Sequence, residues 1–147
     1  MRLTKEGIEL LHRFEGIRLK AYLCPANVWT IGYGNTFYED GSKVKQGDEI
    51  TKKRAEQLFF NIVNEFADQV RKLILQPIGA NRFSALVSFA YNVGVANLKR
   101  SRLLKKVNSN PDDTSIRDEF MRWNKGGGVV LNGLTRRRKA EADLYYS

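Results

Sequence analysis

No disulfide can form within this chain, because Cys24 is its single cysteine. Folding therefore owes nothing to an oxidising compartment. With one histidine beside that one cysteine, a zinc site built from protein ligands is not expected, and no cofactor is predicted. Long apolar runs are missing too. The stretch MRLTKEGIELLHRFEG alternates charged with apolar residues and lacks the core of a signal peptide. Nothing approaches the roughly 20 apolar residues that span a bilayer. The expectation is a protein made in the cytoplasm without a leader, which something else must release if it acts elsewhere. Acidic residues are also scarce, 16 against 25 basic ones, for a net charge of +9. Such an excess attracts polyanions of any kind, whether nucleic acid, wall polymer or membrane surface. Zinc-finger spacing, an RNP-like strand and a phosphate-binding P-loop are all absent, so nucleic acid is not the expected partner.

What is present describes a folded core. Hydrophobic residues make up 42% of the chain and aromatics 11%, which excludes disorder. At 147 residues there is room for one ordinary core or two small lobes. Residues 4–14 have helical spacing, with Thr4 as N-cap and Ile8, Leu11 and Phe14 along one side. Between Arg18 and Val44, β-branched and aromatic residues are broken by Cys24-Pro25-Ala26-Asn27 and Glu39-Asp40-Gly41-Ser42, the pattern of a small antiparallel sheet. Thr51 then caps the longest apolar periodicity, which runs to Gln76-Pro77. The remainder reads as helices, one of them closed by Gly94 and two separated by a Gly126-Gly127-Gly128 loop. The predicted class is α+β in a single domain. A small β-containing lobe covers about 1–50, a connecting helix about 51–75, and a helical lobe about 76–147 packed with the 4–14 helix. A cleft between two lobes is a natural ligand site.

Glu15 follows Ile8 by seven residues and Leu11 by four, so it falls on the apolar side of its helix. A carboxyl group partly withdrawn from water keeps its proton to higher pH, as a general acid must. Its neighbour His12, one turn earlier, is expected as a solvated surface histidine.

The surrounding motifs resemble the phage-type lysozymes, the endolysins of glycoside hydrolase family 24, nearly end to end. The resemblance rests on Phe14-Glu15-Gly16, Ala21-Tyr22, Thr30-Ile31-Gly32-Tyr33-Gly34-Asn35-Thr36, Gly47-Asp48 and Ile50-Thr51. It continues through Ala85-Leu86-Val87-Ser88-Phe89-Ala90-Tyr91-Asn92-Val93-Gly94 and Phe120-Met121-Arg122-Trp123 to Gly133-Leu134 and Arg137-Arg138-Lys139-Ala140-Glu141. It implies a lysozyme-like fold and hydrolysis of the β-1,4 bond between N-acetylmuramic acid and N-acetylglucosamine in peptidoglycan, lysing the bacterial host. Glu15 would protonate the departing oxygen, with Cys24 and Thr30 matching the family's other catalytic positions. Thr36, Tyr91, Asn92, Ser101 and Arg122 are the expected substrate-binding residues.

Cys24 departs from the pattern, because the family usually has an aspartate there. Glycoside hydrolysis generally uses a second anion, and a thiol with an ordinary pKa of about 8.5 is mostly neutral at pH 7. Three readings stand: a thiolate base favoured by its surroundings, a nucleophile, or a chemically idle buried cysteine. The alternative function is a catalytically weak or inactive lysozyme-fold module that binds peptidoglycan or a protein partner. A monomer is expected. The basic cluster Lys99, Arg100, Arg102, Lys105 and Lys106, joined by Arg136 to Lys139, suggests contact with anionic cell-envelope polymers.

Overall fold

The computed structural model describes all of residues 1–147. In chain order the elements are α1 (Lys5–Glu15), β1 (Arg18–Leu23), β2 (Trp29–Gly32), α2 (Lys52–Leu73), α3 (Ala80–Val93), α4 (Val95–Arg100), α5 (Arg102–Ser109), α6 (Ile116–Met121), β3 (Lys125–Gly126), β4 (Val129–Val130) and α7 (Asn132–Tyr145). The chain forms an α+β fold. Two compact units are distinguishable, one of residues 11–65 and one of residues 1–10 with 66–147. Helices α1 and α2 each contribute residues to both units.

Both expected helix starts are capped as read. The Gly7 amide donates to the Thr4 hydroxyl at 3.0 Å, and the Arg54 amide to the Thr51 hydroxyl at 3.1 Å. Each bond satisfies an N-terminal donor that has no partner inside its own helix. The 22 residues of α2 end at Leu73, before Gln76-Pro77.

In the 11–65 unit, β1 and β2 form an antiparallel hairpin that pairs Tyr22 with Thr30 and Leu23 with Trp29. A third extended segment lies along the other edge of β1, where the Ala21 amide donates to Asp48 and the Ile50 amide to Leu19. The core beneath consists of Leu11, Ile31, Val44, Leu58 and Ile62, all nearly or fully buried. A forked ion pair clamps its rim. Both terminal nitrogens of Arg54 lie 2.7 Å from Glu39, and the Asn61 amide adds a bond of 2.9 Å.

In the larger unit, α3 packs chiefly against α7, and α6 packs on α7 beside them. Phe83, Phe89, Phe120 and Tyr145 are fully buried there. Gly94 closes α3 with φ +96°, as its position suggested. The triple-glycine segment differs from expectation. Instead of an open loop it is a minimal hairpin, with Lys125 opposite Val130 and Gly126 opposite Val129. Gly127 and Gly128 form its two-residue turn with φ +58° and +81°, which is the requirement of a mirror-image hairpin turn.

Candidate active site

Glu15 is the last residue of α1, and the left-handed Gly16 (φ +66°) ends the helix behind it. The carboxylate is half-buried and lies against the backbone of Gly34. A Cβ on Gly34 would stand 3.1 Å from the Glu15 carboxyl carbon and closer still to Oε1. Gly34 itself has φ +75°, which favours glycine, and any side chain there would displace the Glu15 carboxylate. The loop carrying it is tied down by Asn35, whose backbone exchanges two bonds with Ile31 while its side-chain oxygen accepts from the Tyr33 amide.

Cys24 and Thr30 come together at the mouth of the β1–β2 hairpin. The chain between them turns through Asn27, which has φ +60°, and the Cys24 amide donates to the Val28 carbonyl at 3.0 Å. The amides of Val28 and Ala26 and the Thr30 hydroxyl lie around the sulfur and favour its ionised form. Led by Val28, these groups hold the thiol below its ordinary pKa, although burial, second in size, works against them. Thr30 is buried and donates to the Val28 carbonyl at 2.9 Å. The turn therefore makes the sulfur easier to ionise than a free thiol.

Two neighbours were not among the expected site residues. Tyr22 lies beneath the Arg18 guanidinium, 4.4 Å from its ring centroid. Burial raises the Tyr22 phenol pKa, Arg18 opposes this, and Glu15 and Cys24 reinforce it, so acid and thiol both act electrostatically on one ring. His12 is not solvated as expected but half-buried, stacked on Tyr33 at 4.2 Å and tilted against Phe59 at 4.5 Å. Burial lowers its pKa and the charge of Glu56 pulls the other way.

The remaining predicted residues have definite settings. Thr36 accepts from the Val44 amide at 3.1 Å through its backbone carbonyl. In the larger unit, the Tyr91 ring packs 5.2 Å from Phe66. Asn92 is exposed, and its side-chain oxygen accepts from Arg138 at 2.8 Å. Ser101 is buried and caps α5; its hydroxyl accepts from the Leu104 amide at 3.1 Å and donates to Leu98 at 2.7 Å. Arg122 is exposed, with Nε 3.1 Å from the buried Glu119, which Lys106 approaches at 3.0 Å from the other side. Arg100, Ser101, Arg102, Glu119, Arg122 and Trp123 line a cavity of about 470 Å³.

The second basic run needs correction. Arg137 and Arg138 are buried and paired with Glu141, which also accepts from the Ser88 hydroxyl at 2.6 Å. Only Arg136 and Lys139 of that run are exposed. Alternate burial on one helix face explains the difference, because Glu141 lies three and four residues beyond the two arginines.

Residues 12–141 match the model of the phage lysozyme family. The chain belongs to that family. It is 42% identical to an endolysin of Bacillus phage B103 over 99% of its own length and 54% of that protein's. Against the endolysin of Bacillus phage PZA the chain likewise spans about half of the relative, 56%. The endolysin of Salmonella phage P22 is 32% identical, with 97% of both chains covered. Among solved structures, an endolysin from Escherichia coli O157:H7 phage FAHEc1 superimposes with a TM-score of 0.88 at 37% identity, covering 99% of this chain and 93% of that one. The muramidase domain of SpmX from Asticaccaulis excentricus gives 0.85 at 30% identity, covering 99% and 98%.

Proposed function

We propose that this protein is a muramidase that cleaves the β-1,4 bond between N-acetylmuramic acid and N-acetylglucosamine, and that it lyses a bacterial host. The supporting observation is one local arrangement in a phage lysozyme chain. A helix-end carboxylate rests on a glycine backbone, and a thiol and a hydroxyl stand together at the adjoining hairpin. In the proposed reaction Glu15 gives its proton to the glycosidic oxygen as the C–O bond breaks. Positive charge grows on the sugar ring at the same time. The sulfur of Cys24, favoured as thiolate by the Val28 and Ala26 amides, draws the proton from an attacking water. Thr30 orients that water from beside the sulfur.

Thr36, Tyr91, Asn92, Ser101 and Arg122 are proposed to bind the glycan. For Ser101 and Arg122 the support is the cavity they share, with the Trp123 indole as an apolar wall suited to a sugar face. Ser101 would contribute only its one uncommitted lone pair. Exposed Lys99, Arg100, Arg102 and Lys105 would raise the frequency of encounter with anionic envelope polymers in a salt-dependent way. No helix of the chain is long and apolar enough to cross a membrane. Access to the wall is proposed to come through lesions made by another protein.

A second reading is favoured by one observation, the thiol where the family has a carboxylate: binding of peptidoglycan without cleavage. Loss of turbidity of purified peptidoglycan separates the two. Wild type should clear it, and Glu15→Gln should be slower by about a hundredfold or more. A wild type that sediments with peptidoglycan but never clears it, at any pH or salt, favours binding alone.

A further inference from the structure

His12 is the single histidine of the chain, packed among other rings and unused by the proposed chemistry. It lies in the last turn of α1, three residues before Glu15, so the two side chains leave the helix on the same side. The Gly16 amide donates to the His12 carbonyl at 2.9 Å and closes that turn. Across from it stands Tyr33, nearly parallel to the imidazole at an interplanar angle of 16°. Phe59 completes a three-ring cluster, 4.5 Å from His12 and 5.2 Å from Tyr33.

The position of Tyr33 in the chain gives this cluster its significance. Its neighbours on both sides are Gly32 and Gly34, each with positive φ. Glycine restricts its backbone least of all residues, so inside the loop that the Ile31–Asn35 bonds close, the side chain between the two glycines is a second anchor for the path from 32 to 34. Tyr33 supplies that second anchor, 7% exposed, and the face of its ring rests on His12. Gly34 comes next in the chain and touches the Glu15 carboxylate. We propose that His12 is a positioning residue, whose ring holds Tyr33 and thereby keeps the Gly34 backbone seated against Glu15.

The imidazole does this with its face and not with a hydrogen bond. Its Nε2 is buried and has no hydrogen-bond partner. A buried polar atom left unpaired is a net cost, so nothing is lost by replacing it with carbon. Stacked aromatic pairs gain from ring overlap beyond the area they bury, which phenylalanine would preserve and alanine would abolish.

This inference rests on Glu15 being the acid, and the experiment keeps the two claims apart. The Gly34 amide signal and the Glu15 side-chain carboxyl signal are followed by NMR in wild type, His12→Ala and His12→Phe, alongside kcat and KM on soluble peptidoglycan fragments. His12→Ala should move both signals and lower kcat by about tenfold or more with little change in KM, as expected when a reacting group is misplaced. His12→Phe should restore both signals and most of kcat. If His12→Ala does not fold, His12→Gln, which keeps bulk without a ring, takes its place. Unmoved signals or an unchanged kcat in the ring-less variant would overturn the proposal, as would a phenylalanine variant no better than alanine. A wild type that turns over no substrate would sink the hydrolase reading instead, and the two NMR signals alone would then decide the role of His12.

Discussion

The ion pair between Arg138 and Glu141, 2.8 Å from Nε to Oε1, joins two side chains with no exposure to solvent. Arg137 approaches the same carboxylate at 3.4 Å and is itself 4% exposed. Glu119 is as deeply placed, but its cations are not, since Arg122 is 60% and Lys106 34% exposed. Removing a buried charge is most damaging when the partner left behind cannot reach water. Glu141→Gln should therefore cost about 3–5 kcal/mol, and Glu119→Gln about 1–2 kcal/mol, in urea unfolding. Equal losses would show that the two arginines regain solvent through local opening.

Gly34→Ala tests the seat of the proposed acid. The added methyl meets the Glu15 carboxylate, and φ +75° is unfavourable for alanine at about 1–2 kcal/mol. Stability should fall by about that amount, whereas clearing of peptidoglycan should fall by about a hundredfold. Activity that tracks stability alone would mean the carboxylate tolerates displacement.

The Cys24 thiol should ionise at lower pH than the same cysteine in the unfolded chain. The pH dependence of its alkylation by iodoacetamide measures this directly. Thr30→Val should raise the midpoint only part of the way, because the Val28 and Ala26 amides remain. In the clearing assay, Cys24→Asp should outperform Cys24→Ser if an anion is what the position supplies. Full activity in Cys24→Ser would make the sulfur a bystander.

Acid should release the Glu39–Arg54 clamp. The two charge-assisted bonds from Arg54 come first among the causes that hold the Glu39 carboxyl at about 2. Its folded value is thus depressed below the unfolded value of about 4.3, so its stabilisation is complete above that pH. The stabilisation is lost as pH falls from there through about 2. Because both groups are about a third exposed, Glu39→Gln should cost only about 1 kcal/mol at neutral pH. The variant should also show a flatter loss of stability in acid melts, and an unchanged acid slope would contradict this assignment.

Features that depend on near neighbours in the sequence were legible before any coordinates. Thr4 and Thr51 cap their helices, Glu15 ends α1, Gly94 ends α3, and the 18–44 segment holds the hairpin. What stayed hidden depends on distant partners. Nothing in Tyr33-Gly34 states that a carboxylate nineteen residues earlier lies against the glycine. A lone histidine carries no periodic signal, so the burial of His12 followed only from Tyr33 and Phe59. Strands of two residues have no period at all, which is why β3 and β4 read as a loop. The burial of Arg137 and Arg138 had a usable signal, namely Glu141 at the spacing of one helical turn.

The β3–β4 hairpin also offers a practical opening for engineering. Val129, Val130 and Leu131 are 63%, 52% and 45% exposed, and two glycines make the tip ahead of them. Exposed turns of this kind accept insertion and substitution with little strain on the elements that flank them. The tip can therefore take a short insertion or an added side chain without disturbing the packing of α6 and α7 on either side of it, which makes it a place to attach a probe or a tag.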